Sequence, residues 1–360
     1  MTSLVQEAVF IPVRLSLVTF SFFYGLFWYA VFTIPLFLIN LARGRFKIGI
    51  KLTPEQTKTA IQNLENYPVK HNFLKSTDGV KIHYSTRHHR NNVKGTLIFV
   101  HGYPSTWYSW KDQLDYFYEK GYNVIAPDLR GYGDSDKPSL PFSYSMMQLV
   151  KDLDLIVKKG TSGGIKPVIV AHDWGGLISS SYAAKFGSKI EKLILINTTH
   201  YGAMLKGLIT SPKQLLKSFY VFMFQFPIMA ELFCCQEKAF RGAGAPKKLS
   251  EEDRLSLMYK FRNPRLIMGG VNIYRAHVLW GLAFWKIDTL KEYIFKTVGV
   301  KTVMIWGKYD KFLGLNVPVE NKNWFDDYEI DYLDDPKAGH WLITDNAVEV
   351  NKKIKKILEK

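Results

Sequence analysis

Along this chain, short runs dominated by Val and Ile alternate with longer stretches in which apolar positions recur every three or four residues. TLIFV (96–100), NVIAPD (123–128), PVIVA (167–171), KLILIN (192–197) and VKTVMIW (300–306) are nearly continuous apolar runs, and YEIDYL (328–333) is a weaker sixth. Strands that are apolar on both sides predict a mainly parallel sheet covered on each face by helices. Segments such as YSMMQLVKDLDLIVKKG and the terminal NAVEVNKKIKKILEK supply that cover. Ahead of the sheet, LTPEQTKTAIQNLENYP (52–68) opens like a helix, with Thr53 as N-cap, Pro54 in the first turn and Gln56 completing a capping box. NFLKS and VKIHYST flank the turn pair Asp78-Gly79, which predicts a hairpin over 72–86. Residues 200–290 break the rhythm: they are helix-like, aromatic and Met-rich, as expected of an inserted cap. The expected organisation is an anchor and basic segment over 1–51, an α/β core over 52–199, a helical cap over 200–290 and the rest of the core over 291–360.

The longest apolar run stands apart from this pattern. From Leu15 to Ile39 no residue is charged over 25 positions, long enough to cross a hydrocarbon core of roughly 30 Å as a tilted helix. A cleaved signal peptide would have a shorter apolar core and a small-residue cleavage site, and LINLARGRF offers none. The expectation is an N-terminal transmembrane helix. Arg43, Arg45, Lys47 and Lys51 follow the run while only Arg14 closely precedes it, which places the following domain in the cytosol. A single-pass protein of the endoplasmic reticulum, with the α/β domain on the cytosolic side, fits these features. The net charge of +16 then reads as attraction to an anionic membrane surface, because no compact Lys/Arg tract or recognition motif points to nucleic acid. The two cysteines, Cys234 and Cys235, are adjacent and form no disulfide framework, so a reducing compartment fits.

Candidate chemistry centres on VAHDWGG (170–176). Strand, tight turn and helix follow one another directly, and small residues, Ala171 and Gly175, stand two positions either side of Asp173. That spacing is a nucleophile elbow, in which a strained turn exposes one side chain above the sheet. An N-capping aspartate is the ordinary alternative. In such a fold an acid and a histidine should follow at later strand ends, and Asp310 and His340 stand there. Asp334 or Asp335 could serve as the acid instead, but both lie in a solvated loop after a strand, and His340 alone could be a surface histidine. A carboxylate, with a pKa of about 4, is already ionised at neutral pH and can attack an electrophilic sp3 carbon. Serine attacking such a carbon would leave an ether; aspartate leaves an ester, which His340 can hydrolyse by activating water, with Asp310 orienting the ring.

The segments HGYPSTWYSW (101–110), DLRGYGDSDKP (128–138) and AHDWGG together resemble the epoxide hydrolases of the α/β-hydrolase superfamily, and within them the membrane-anchored epoxide hydrolase 4-like group. The resemblance runs from about residue 70 to the end, and the anchor fits it too. It implies an α/β-hydrolase fold with an inserted helical cap, no metal and no cofactor. The G-x-G of RGYG lacks the rest of a dinucleotide fingerprint. It also implies an oxyanion hole from the backbone N–H groups of Tyr103 and Trp174, with Pro104 restricting the backbone of Tyr103. Two cap tyrosines would assist ring opening. LLKSFYVFMFQFP places the first at Tyr220 and VNIYRAH the second at Tyr274; the latter lacks the proline common before it in the family, which predicts a slight displacement.

His101, Pro104, Phe222 and Phe224 are expected to line the substrate pocket. Phe219, Phe226, Trp280, Phe284 and Trp285 add apolar surface, which favours lipophilic epoxides such as those of unsaturated fatty acids. The expected partners are therefore a small lipophilic epoxide, water, and a membrane reached through the N-terminal helix. The rival enzyme is a haloalkane dehalogenase, using Trp174 as a halide donor, but a tyrosine pair has no purpose in halide release. A noncatalytic hydrolase-fold membrane protein is the other alternative. The sequon Asn197-Thr198-Thr199 ends a core strand beside the site, so Asn197 is expected to be unmodified.

Overall fold

The near-continuous apolar runs lie side by side as the middle of an eight-stranded sheet. The structure, a computed structural model, describes residues 2–42, 48–161, 164–242, 244–278, 281 and 292–360. Its strands are β1 (Lys70–Lys75), β2 (Lys81–Arg87), β3 (Thr96–Val100), β4 (Asn123–Pro127), β5 (Val168–His172), β6 (Leu193–Ile196), β7 (Thr302–Gly307) and β8 (Tyr328–Leu333), in the order β1-β2-β4-β3-β5-β6-β7-β8. The predicted hairpin pairs β1 with β2 and joins β4 antiparallel; every later pairing is parallel. All residues of β3 to β7 are buried, which is why those runs show no polar alternation. β8 lies at the edge and is largely half-exposed, which accounts for its weaker pattern.

Successive strand residues feed two separate apolar layers, as a period of two requires. Ile98, Val100, Ile125 and Ile169 pack with Leu153, Ile156 and Ile178, whereas Leu97, Phe99, Val124 and Val168 pack with Leu114, Phe117 and Ile354. These contacts come from the flanking helices Lys111–Glu119, Met146–Gly160, Trp174–Phe186 and Ala347–Leu358. The helix Pro54–Glu65 begins with the expected capping box between Thr53 and Gln56. Because the central strands are parallel, their carboxyl ends share one edge of the sheet, and the loops after β3, β5, β7 and β8 meet there. Between β6 and β7 the chain runs through a series of helices, among them Tyr201–Thr210, Phe219–Met223 and Pro264–His277. Trp280, Phe284 and Trp285 lie outside the described residues.

The 25-residue uncharged run is helical but divided. Helix α1 spans Thr2–Trp28, a wider π-helical turn covers Tyr29–Thr33, and α2 spans Ile34–Ala42. Pro35 has no N–H to give to the preceding turn, so the regular ladder breaks where the π turn sits. Among the described residues no helix is long and apolar enough to cross a membrane. One side of α1 packs on the helical segment: Phe20 and Tyr24 meet the ring of Phe222, Trp28 meets Phe219 and Phe22 meets Phe226. On the remaining surface Leu15, Phe23, Phe27, Ile34 and Leu38 are exposed.

Candidate active site

At the carboxyl end of β5, Asp173 has φ +51° and ψ −127°, a backbone conformation costly for any residue with a Cβ and typical of functional turns. The helix Trp174–Phe186 starts at once behind it. Gly175 must be glycine: a Cβ there would stand 2.3 Å from the Val100 carbonyl oxygen and 2.5 Å from that of His101. The turn is therefore pressed against the end of β3, which brings the Tyr103 N–H to Asp173 Oδ1 at 2.7 Å. The Asp173 carbonyl accepts from the Thr198 hydroxyl at 2.6 Å and from the Gly176 N–H at 2.8 Å, so the backbone behind the carboxylate is also held. Trp174, as first residue of its helix, contributes an amide with no acceptor inside that helix, and the helix dipole favours negative charge beside it.

His340 stands on the other side of Asp173. Its Nδ1–H donates to Asp310 Oδ2 at 2.8 Å, and its Nε2 lies 3.6 Å from Asp173 Oδ2. The second separation is beyond a direct hydrogen bond. Asp310 is fixed from several directions: Oδ1 accepts from the Phe312 and Leu313 N–H groups, and Oδ2 from the Asn197 amide at 2.6 Å. Burial disfavours charge on His340, but Asp310 and Asp173 outweigh it and raise the imidazole to about 10. Burial likewise works against both carboxylates, and their contacts with His340 overcome it and lower them. The resting site thus holds an imidazolium between two carboxylates. Asp334 and Asp335 do not compete for the histidine: Asp334 is exposed beside Lys308, and Asp335 accepts from the Lys337 N–H and the Asn346 amide.

Two phenols close the site from above. Tyr220 and Tyr274 both line each of two cavities that contain Asp173, one of about 90 Å³ and one of about 200 Å³. Their rings meet edge to face at 5.9 Å, and Tyr274 also stands edge to face with Trp174 at 5.0 Å and with Tyr103 at 5.4 Å. Without the expected proline, Tyr274 lies inside the uninterrupted helix Pro264–His277 and still lines a cavity with Asp173. Burial, and then the negative charge of Asp173, push the Tyr220 phenol well above its usual range. Burial, Tyr220 and Asp173 do the same for Tyr274. Both therefore keep a proton to donate throughout the neutral range.

The remaining expected pocket residues divide. Pro104 and Phe224 line the larger cavity beside His340. His101 is wholly buried, with Nδ1 donating to the Gly102 carbonyl and Nε2 accepting from the Leu129 N–H, so it braces the loop after β3. Phe222 turns toward α1 and lines a third cavity that Asp173 does not border. Sequence pattern alone does not single out His172 or Thr198. His172 Nε2–H donates to the His340 carbonyl at 2.9 Å, and burial together with the charge on His340 lowers its ring to about 4, so it stays neutral. Asn197, noticed only as a sequon, is wholly buried, with its amide on Asp310 and its Oδ1 accepting from the Gly307 N–H.

One group with metal-ligand spacing occurs among the described residues: His83, Asp128 and Asp134, with donor atoms within 4.8 Å. Its members already serve each other and their loop. His83 Nδ1 donates to Asp128 at 2.7 Å, Asp128 accepts from the Trp107 and Asp134 N–H groups, and Asp134 is paired with Lys260.

Comparison with known proteins finds relatives named as epoxide hydrolases. Residues 95–347 match the model of the alpha/beta hydrolase fold. The chain is 32% identical to epoxide hydrolase 3 of Xenopus tropicalis over 305 residues, covering 81% of this chain and 78% of that protein. It is 30% identical to epoxide hydrolase 1 of Caenorhabditis elegans over 345 residues, covering 93% and 80%, and 31% identical to human epoxide hydrolase 4 over 300 residues, covering 79% and 77%. Among solved structures, a Bacillus megaterium epoxide hydrolase in complex with an inhibitor superposes with a TM-score of 0.65. It is 22% identical and covers 80% of this chain and 100% of its own, a likeness of fold.

Proposed function

The chain belongs to the epoxide hydrolases of the α/β-hydrolase superfamily, and from that premise we propose that it converts lipophilic epoxides to vicinal diols through an ester on Asp173. The observation that carries this reading is the pair of protonated phenols, Tyr274 buried and Tyr220 half-buried, facing an ionised aspartate across the same cavities. Asp173 Oδ1 is occupied by the Tyr103 N–H, so Oδ2 is the attacking oxygen. As its bond to an epoxide carbon forms, the carbon–oxygen bond of the ring breaks, and the leaving alkoxide takes a proton from Tyr220 or Tyr274. The ester's carbonyl oxygen is then Oδ1, already in the oxyanion hole. Water attacks that carbonyl carbon from the side of His340, whose Nε2 accepts its proton. The resting proton of His340 passes to the tyrosinate before this attack. As the adduct collapses and the ester bond breaks, the departing oxygen takes the water-derived proton from His340 and leaves as the diol, and the Asp173 carboxyl returns its own proton to the ring.

A haloalkane dehalogenase would have no leaving alkoxide to protonate, and the phenols separate the two readings. Tyr220→Phe and Tyr274→Phe are each expected to lower kcat/KM for an epoxide by roughly 10- to 100-fold, and the double variant by ~10³ or more, as for loss of general-acid groups. Diol formation followed by gas chromatography measures this. Undiminished turnover in the double variant would rule out phenol-assisted ring opening.

For the N-terminal helices we propose attachment to a membrane, with the catalytic domain on the cytosolic face of the endoplasmic reticulum. Supporting this are the exposed apolar side chains of α1 and α2, including Phe23 and Phe27 at 62% and 56% exposure, and the net charge of +16. Of the basic residues that set the expected orientation, Lys51 is exposed, while Arg43, Arg45 and Lys47 lie outside the described residues. The protein is expected to stay with membranes through alkaline carbonate extraction, and a Phe23→Lys/Phe27→Lys variant to be released. Release of the wild-type protein would argue against attachment.

A further inference from the structure

We infer that α1 is a wall of the substrate site: the hydrocarbon chain of the epoxide runs from Asp173 into a limb between the cap and α1, closed by Leu17, Phe20 and Ser21. This rests on the epoxide reading and names the part of the chain that selects its substrate. The smaller cavity at Asp173 extends to Tyr201, Leu205, Leu208, His277 and Val278. Those same five residues line a third cavity of about 350 Å³, and its far wall is Leu17, Phe20 and Ser21 of α1. The two cavities are thus neighbours across one set of side chains, and of these two only the third, at about 350 Å³, is large enough to fall in the roughly 300–1,000 Å³ range of ligand pockets.

The lining selects the chemistry of what enters. No lysine, arginine or acidic residue lines this third cavity among the described residues, and Leu208, Ile209, Leu215, Phe222 and Val278 dominate it. An unbranched alkyl chain is suited to such a passage, whereas a charged headgroup would lose its hydration without a partner. Ser21 is 3% exposed, and its small side chain leaves the limb open beside the bulkier Phe20.

α1 is seated closely enough to act as a wall. A Cβ on Gly25 would come within 2.7 Å of the Phe222 carbonyl oxygen and 3.0 Å of the Phe226 ring, so the helix backbone lies directly on the cap there. At the preceding residue, Tyr24 stacks edge to face on Phe222 at 5.0 Å, and its hydroxyl donates to the Leu215 carbonyl at 3.4 Å. The turn from Leu17 to Ser21 is thereby fixed at the far end of the limb.

The test uses the full-length His340→Gln protein and 1,2-epoxyhexadecane carrying a diazirine at the far end of its chain. Once the ester has formed on Asp173, irradiation is expected to cross-link the tail to residues 17–21 or 205–209, read by peptide mass spectrometry. An ester on Asp173 with cross-links confined to Gly244 and Trp341, in the other cavity, would overturn the inference while leaving the activity intact. Absence of any ester would remove the epoxide reading and the inference with it. In the otherwise wild-type chain, Ser21→Phe is expected to lower kcat/KM for 1,2-epoxyhexadecane ~10-fold or more and leave styrene oxide within about twofold. Equal losses on both substrates, or none on the long one, would contradict it.

Discussion

Asp173→Asn is expected to lower diol formation by roughly 10⁴- to 10⁶-fold, the scale of removing a covalent nucleophile, while leaving the fold intact. An asparagine at 173 is nearly the same size, and its side-chain oxygen can still accept from the Tyr103 N–H. The turn is held by the Thr198 hydroxyl and the Gly176 N–H on the backbone carbonyl, neither of which the substitution touches. What disappears is the charge: a neutral amide does not open an epoxide. Thermal melting within a few degrees of wild type, with activity lost, is the expected pair of measurements. A loss of only ~10-fold would mean that His340 directs water onto the epoxide itself, with Asp173 merely orienting the ring.

His340→Gln is expected to be as severe in steady state, about 10⁴-fold, but to fail at a different step. Alkylation of Asp173 needs only its ionised carboxylate and the two phenols, so one turnover's worth of ester should form at each site and persist. The raised pKa of His340 explains why the second step waits for the first. In the resting enzyme the ring is held protonated by two carboxylates, against the effect of burial, and a protonated imidazole is no base. Esterification removes the charge on Asp173, so one of the two anions that raise the ring is gone and its pKa falls from about 10 toward neutrality.

The sign follows from these shifts. Hydrolysis of the ester should speed up as pH rises through the lowered value, because the neutral ring is the active form. Alkylation should be nearly flat from about pH 5 to 9, because Asp173 is lowered and both tyrosines are raised. Rapid-quench measurement of the two steps checks this. An alkylation rate that tracks the ionisation of His340 would contradict the separation of roles.

Much of the site was legible because a parallel sheet converts chain order into position. Asp173, Asp310 and His340 each follow a strand, so identifying the strand ends brings all three to one edge. The support of that site was less legible, because its signals are spatial. His172 looks like a buried strand residue, and only the loop from β8, 168 residues later, makes it a brace for His340. Asn197 stood out for the wrong motif, its role depending on a carboxylate 113 positions away. Phe222 was harder to place from composition: in a segment this aromatic the sequence does not say which ring faces Asp173, and the short helix Phe219–Met223 turns Phe222 toward α1 and the third cavity and leaves Tyr220 beside Asp173. The uncharged N-terminal run was legible as apolar, but the division between α1 and α2 at Pro35 and the docking of α1 on the cap depend on backbone and tertiary detail that hydropathy does not carry.

A single turnover in oxygen-18 water, with wild-type enzyme in excess over an epoxide, tests the covalent route most directly. The diol should leave with ordinary oxygen, because its new hydroxyl comes from Asp173, and the peptide containing Asp173 should gain the heavy isotope. Heavy oxygen in the diol, with an unlabelled Asp173 peptide, would show that water attacks the epoxide and that no ester forms.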